Sequence, residues 1–264
     1  MTDSFGYSVR VKTGAGWRRH GRVRLMISVG KEYHEGAKLK AAVDWINRNP
    51  TIREVHVSVN DHLQRHNLVA AGMSEQRAGA VALAEGVRWM ERNAGILAEI
   101  KAAGWYTTRW RDWFDRPDFA ARLAALSEYA RADAGRARAH GSPPDRSFDD
   151  ALDADARALA ERRVKRGEPI ANLERLIVHS RDYVREELAV FAMQAAERPA
   201  AEVYPGSNLQ SAMYLLDKEL PEAIRPLASR YFTRIDFARI NLAPEPERDS
   251  VRQRRPSRLP AITA

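Results

Sequence analysis

Residues 21–30, GRVRLMISVG, decide the fold. Apolar side chains at Val23, Leu25, Met26, Ile27 and Val29 read as a largely buried strand, and Gly30 stands where that strand ends. A turn-like GKEYHEG follows. AKLKAAVDWINRN (37–49) then carries Ala37, Ala41, Ala42, Trp45 and Ile46 at helical spacing and stops before Pro50. EVHVSV (54–59) alternates as a second strand. Strand, helix and strand within about 35 residues make the βαβ unit of an open parallel sheet, in which ligands bind where strands end. Ser28 lies at such an end.

Working outward, MSEQRAGAVALAEGVRWMERNAGILAEIKAAG (73–104) predicts a long helix started at Ser74 and stopped by Gly104. WYTTRWRDWFDRPDF interleaves aromatics with arginines. Further helices are expected from DFAARLAALSEYARADAG, from about Asp150 to Gly167, and from about Ile170 to Arg198, with HGSPPDRSFDD as a loop. YPGSN reads as a turn, YLLDKEL and PEAIRPLASRYF as short helical pieces, and FTRIDFARIN as a final strand. The chain is expected to form one domain over 1–243, with the Pro- and Arg-rich 244–264 as an unstructured tail.

The length of 264 residues and the 44% apolar content permit a full core. No apolar run approaches the roughly 20 residues that span a bilayer, and the N-terminus lacks a signal-peptide layout, so a soluble cytoplasmic protein without membrane partners is expected. With no cysteine, thiolate chemistry, disulfides and thiolate zinc sites are excluded. A net charge of +8 suits an anionic partner such as nucleic acid, although an arginine-for-lysine bias in an alanine-rich chain is also what a GC-rich genome produces.

Several residue groups can carry chemistry, each beside a plain structural alternative. Ser28, with Gly30 two residues on, exposes a hydroxyl at a sheet edge, where backbone amides and a helix N-terminus can hold an oxyanion; serines also end many ordinary strands. Met26 replaces the first glycine of G-x-S-x-G, which argues against an α/β-hydrolase. Tyr183 and Glu187 share one helix face, either as a surface pair or, flanked by Val184, Leu188 and Phe191, as the lining of a cavity that grips an ammonium group. His62 and His66 are four apart but have no third ligand nearby, so no metal is expected. Trp105, Tyr106, Arg109, Trp110, Arg111, Trp113 and Phe114 are either an RNA-stacking platform or a packed corner. Arg88, Arg92, Lys101, Arg109 and Arg111 are the expected phosphate contacts, with Arg162, Arg163, Lys165 and Arg166 as further ones.

The order of these segments resembles one family, the tRNA-dependent cyclodipeptide synthases. ISVGKEY resembles its strand-end motif, VSVNDHLQRHNL its second-strand segment around Asp61, YVREELAVF its tyrosine and glutamate four apart, and EVYP its later tyrosine, together spanning most of residues 22–206. Lys31 after the glycine and Pro205 after Tyr204 resemble the subgroup with a variable residue and a Tyr-Pro pair; Ala189 departs from the family, which often has a proline there. The long helix is also less basic than in some members.

The resemblance implies a Rossmann-like parallel sheet flanked by helices, akin to the catalytic domain of class I tyrosyl- and tryptophanyl-tRNA synthetases, with no cofactor and two aminoacyl-tRNAs as substrates. Ser28 would carry the first aminoacyl group in a ping-pong reaction. Tyr183 and Glu187 would hold its ammonium group and Tyr204 would position groups or relay protons. Gly30, Val59 and Asp61 would border the aminoacyl pocket. Because Arg24, Met26 and Ser28 share a strand face, Met26 and Arg24 are expected there too, and a buried guanidinium would favour an acidic substrate side chain. The alternatives are transfer of a single aminoacyl group to a peptide or small molecule, and a non-catalytic RNA-binding protein of the same fold. A monomer is expected.

Overall fold

The computed structural model describes residues 5–14, 17–139, 147–206 and 209–241. Its frame is the βαβ unit: β2 (Arg22–Ser28), α2 (Gly36–Asn47) and β3 (Glu54–Asn60), with β2 and β3 paired in parallel and Ser28 opposite Asn60. The six-stranded sheet has the order β1-β6-β5-β2-β3-β4, adding β1 (Phe5–Thr13), β4 (Gly104–Arg109), β5 (Ala201–Pro205) and β6 (Tyr231–Asn241). All pairings are parallel except β1 with β6. From β2 the chain proceeds to β3 and β4 on one side and returns as β5 on the other, so the strand order reverses beside β2. A crevice is expected at the strand ends there.

The two sheet faces have different coverings. Leu25, Ile27, Val55, Val57, Val59 and Val203 pack with Leu39, Val43 and Ile46 of α2 and with Trp89 of α4 (Glu75–Leu97). On the opposite face Met26 packs with Leu188 and Phe191 of α8 (Leu173–Glu197), in a core completed by α6 (Pro117–Ala139), α7 (Phe148–Lys165) and α9 (Gln210–Tyr214). Helix α7 starts at a reciprocal cap, Ser147 with Asp150, and α8 starts at Asn172, whose side chain accepts from the Arg175 amide.

Sequence reading missed three strands. β1 is an edge strand, β5 has only five residues and ends in a proline, and β4 was hidden in the aromatic and arginine cluster. That cluster is mostly packing: Trp110 and Trp113 are buried, Trp110 Nε1 donates to Ser58 Oγ at 2.8 Å, and Tyr106 stacks on His56. Of the short helical pieces expected, PEAIRPLASRYF holds the 3-10 helix Arg225–Ser229, whereas YLLDKEL, after Tyr214 at the end of α9, is turn and irregular chain. The tail expected over 244–264 lies outside the described residues. Among the described residues no helix is long and apolar enough to cross a membrane.

Candidate active site

Ser28 ends β2 on the α8 face, where it is almost fully buried. The following turn reverses at Gly30, whose φ of +79° favours glycine. Two phenols line the same cavity as Ser28 and interact electrostatically with its hydroxyl: Tyr183 from α8 and Tyr204 from β5. Tyr183 is itself fixed by Asn60, whose Nδ2 donates to the phenol oxygen at 2.9 Å. Glu187, one turn beyond Tyr183, lines the same cavity of about 410 Å³, together with Met26, Lys31, Phe191, Glu202 and Arg230. Four segments far apart in sequence thus meet at the reversal of strand order.

Burial sets the proton inventory. It pushes the Glu187 carboxyl up to about 8, against a smaller opposing pull from Arg230, so this acid is largely protonated at neutral pH. Burial also raises both phenols, which are therefore hydrogen-bond donors. His34 is sealed in, and burial lowers it to about 3, leaving a neutral ring. Its Nδ1 accepts from the Ser28 amide at 2.6 Å, and its ring meets Tyr204 edge-on at 5.5 Å. His34 supports the serine from behind, a role that its place in a turn-like segment did not suggest.

Among the residues expected at the pocket, Met26 and Ser28 line it, while Arg24, Val59, Asp61 and Gly30 do not. Arg24 does share the strand face, but it is 1% exposed and four of its five N–H donors are engaged. Its Nε donates to His56 Nδ1, its Nη1 pairs with Glu202, and its Nη2 donates to the carbonyls of Gln194 and Arg198 at the end of α8. Val59 points to the opposite core. Asp61 binds Arg109 Nε at 2.6 Å and accepts from the His62 amide, so it anchors β4 to β3 rather than touching the cavity. The neighbour between them, Asn60, reaches the site because strand alternation places it on the Ser28 face.

Of the backbone amides expected to hold an oxyanion, those of Val29 and Lys31 already donate to Asn60 O and Ser28 O, and the two phenols stand in the cavity as further donors.

The basic residues divide differently from expectation. Arg88 pairs with Glu85, Arg92 with Glu35, Arg109 with Asp61, and Arg111 with Asp115. Lys101 precedes β4, at the sheet edge away from Ser28 and about 20 Å along the strands. At the cavity itself stand Lys31, Arg162 and Arg166. Burial, and then Arg166, lower Lys31 to about 8. Arg163 and Arg166 share Glu168. His66 pairs with Glu186 and His62 packs on Phe114; among the described residues no group of three or more ligand-type side chains is arranged for a metal ion.

Fold and site together define a class: a Rossmann-like α/β protein with a serine and two phenols on one cavity at the strand ends. Solved structures that share this fold include cyclodipeptide synthases. The Fluoribacter dumoffii enzyme matches with a TM-score of 0.72 at 19% identity, over 89% of this chain and 99% of that one. A cyclodipeptide synthase from Candidatus Glomeribacter gigasporarum, solved bound to Phe-tRNAPhe, matches with a TM-score of 0.60 at 19% identity, over 91% of each chain. A Mycobacterium tuberculosis protein, described as showing that cyclodipeptide synthetases are related to type I tRNA synthetases, matches with a TM-score of 0.61 at 16% identity, over 87% and 93%. No family model matches the sequence, and no curated protein does.

Proposed function

We propose that this protein is a cyclodipeptide synthase that takes both aminoacyl groups from aminoacyl-tRNAs and joins them through an aminoacyl-Ser28 intermediate. The observation that carries this reading is the convergence of Ser28, Tyr183, Glu187 and Tyr204 on one cavity at the end of β2. A binding protein of this fold has no use for a buried serine flanked by two phenols and a proton-holding carboxyl. The subgroup with a variable residue after the glycine fits Lys31 and the Tyr204–Pro205 pair.

In the first half-reaction Ser28 Oγ attacks the ester carbonyl of one aminoacyl-tRNA. The acyl–oxygen bond breaks, and the serine proton passes to the departing ribose oxygen, assisted by substrate hydroxyls. Tyr183 and Tyr204 donate toward the oxygen that gains charge. Glu187 and Tyr183 hold the substrate α-ammonium group; the ammonium charge favours the ionised carboxylate, whose resting proton leaves to solvent as substrate binds, so that Glu187 can take the ammonium proton when the amine becomes the nucleophile. That amine then attacks the ester carbonyl of the second aminoacyl-tRNA, whose acyl–oxygen bond breaks as the ribose oxygen leaves with a proton, and attack of the new terminal amine on the serine ester closes the diketopiperazine and returns a proton to Ser28 Oγ. Splitting the synthesis at a covalent intermediate gives ping-pong kinetics.

The tRNA ends reach the cavity past Lys31, Arg162 and Arg166, which supply cationic charge for acceptor phosphates. Arg88, Arg92, Lys101, Arg109 and Arg111 remain candidates for more distant contacts, weakened for four of them by their carboxylate partners.

The test is to express the protein and its Ser28→Ala variant in bacteria and analyse the medium for diketopiperazines by mass spectrometry. Product from the wild type that disappears in the variant is expected. Soluble wild-type protein without any diketopiperazine would overturn the reading in favour of single aminoacyl transfer or RNA binding.

A further inference from the structure

Arg230 follows the 3-10 turn over Arg225–Ser229 and leads into β6, and this position delivers its side chain to the cavity wall. The guanidinium packs over two aromatic rings. Its Cζ lies 3.1 Å from the centroid of Phe191 and 4.7 Å from that of Phe232. Its edge is not satisfied: Nε, Nη1 and Nη2 are all buried without a hydrogen-bond partner. The nearest carboxylate, Glu202, lies 3.3 Å from Nη2 through Oε1, an oxygen already held by Arg24.

Two buried guanidinium groups therefore share one carboxylate. Four of the five N–H donors of Arg24 are used, by His56, Glu202 and two carbonyls. Arg230 has the Glu202 ion pair and no hydrogen bond. Burying a cation without hydrogen bonds is costly, and a planar fork of donors packed over aromatic rings is suited to a carboxylate approaching in its plane.

The charges next to Arg230 point the same way. A substrate α-ammonium group that draws Glu187 into its ionised form cancels that carboxylate. In the buried cluster of Arg24, Arg230 and Glu202, one positive charge is then in excess. A side-chain carboxylate on the substrate would cancel it, whereas an apolar side chain would leave it unbalanced.

We propose that Arg230 selects aminoacyl groups bearing a side-chain carboxylate, aspartyl or glutamyl, for the cavity beside Ser28. This selection rests on the cyclodipeptide synthase reading above. It moves the acid-binding role expected of Arg24 to a residue 206 positions later in the chain.

The test compares the wild type with Arg230→Met, which keeps an unbranched side chain against the two rings and leaves the Arg24–Glu202 pair electrically balanced. Each protein is incubated with glutamyl-, aspartyl-, glutaminyl- and leucyl-tRNA, and the acyl-enzyme at Ser28 and the released diketopiperazines are measured by mass spectrometry. The wild type is expected to load glutamyl or aspartyl groups in preference to glutaminyl and leucyl. Arg230→Met should lower the acidic-to-neutral ratio by about 10- to 100-fold, the range for one charge-assisted contact. Wild-type products with only neutral side chains, or an unchanged ratio in the variant, would overturn the selection while leaving the synthase reading intact.

If no tRNA yields acyl-enzyme or product, the synthase reading fails, and binding alone decides the role of Arg230. Glutamic acid α-methyl ester should then raise the melting temperature of the wild type but not of the variant, with leucine methyl ester as control; no wild-type shift overturns the proposal. Should Arg230→Met fail to fold, Arg230→Gln supports the same comparisons.

Discussion

Glu187→Gln replaces a buried, proton-holding carboxyl with a neutral group of the same shape, and its effect on stability should depend on pH in a defined direction. The carboxyl is pushed from 4.5 to about 8 on folding, chiefly by burial. A raised acid contributes stability that is fully present below about pH 4.5 and is lost as pH rises through about 8, because unfolding increasingly releases a proton that folding retains. At about 1.4 kcal/mol per unit, the full shift would cost the folded wild type about 3 kcal/mol at pH 7 and about 5 kcal/mol above pH 8. As a whole residue Glu187 is only partly buried and lines the cavity, so solvent screening reduces this cost. We therefore expect Glu187→Gln to be more stable than the wild type by about 2 kcal/mol at pH 7, by under about 1 kcal/mol at pH 5, and by the most at pH 9.

Urea denaturation at the three pH values measures the difference. A difference that stays flat from pH 5 to pH 9 would refute the reasoning, and so would one that shrinks as pH rises. The same variant should lose diketopiperazine formation, since an amide cannot take the proton from the substrate ammonium. Activity at this position would then be held at a cost in stability, as expected of a functional site.

Two further predictions concern residues that position the phenols. Gly206→Ala should displace Tyr204, because φ is +144° there and an added Cβ would meet the Tyr204 ring at 2.6 Å; a loss of about 1–3 kcal/mol in urea denaturation, with a larger proportional loss of activity than of folded protein, is expected. Asn60→Ala removes the donor to Tyr183, so acyl-enzyme formation in rapid-quench experiments should slow about tenfold while stability falls by about 1 kcal/mol; an unchanged rate would show that the phenol is positioned without it.

Much of the frame was legible in residues 21–59. A run of apolar residues, a helix-spaced segment and an alternating strand specify a βαβ unit because side-chain period follows from backbone geometry. Alternation also placed Arg24, Met26 and Ser28 on one face, as found. Alternation within one strand does not extend across strands. The resemblance implied Val59 and Asp61 at the pocket, whereas the pairing register sets Asn60 opposite Ser28 and turns Val59 to the other core.

By itself the sequence determined local matters: which segments form strands and helices, that Ser28 ends a strand, and that Tyr183 and Glu187 share a helix face. These depend on neighbours within a few residues. The tertiary structure decided which of two nearby arginines meets the cavity. Arg24 is consumed by Glu202, His56 and the end of α8, while Arg230, brought in by the last strand, keeps a free edge beside the serine. Whether a buried charge is satisfied depends on partners as much as 178 residues away, and only the packed chain brings them within hydrogen-bonding distance.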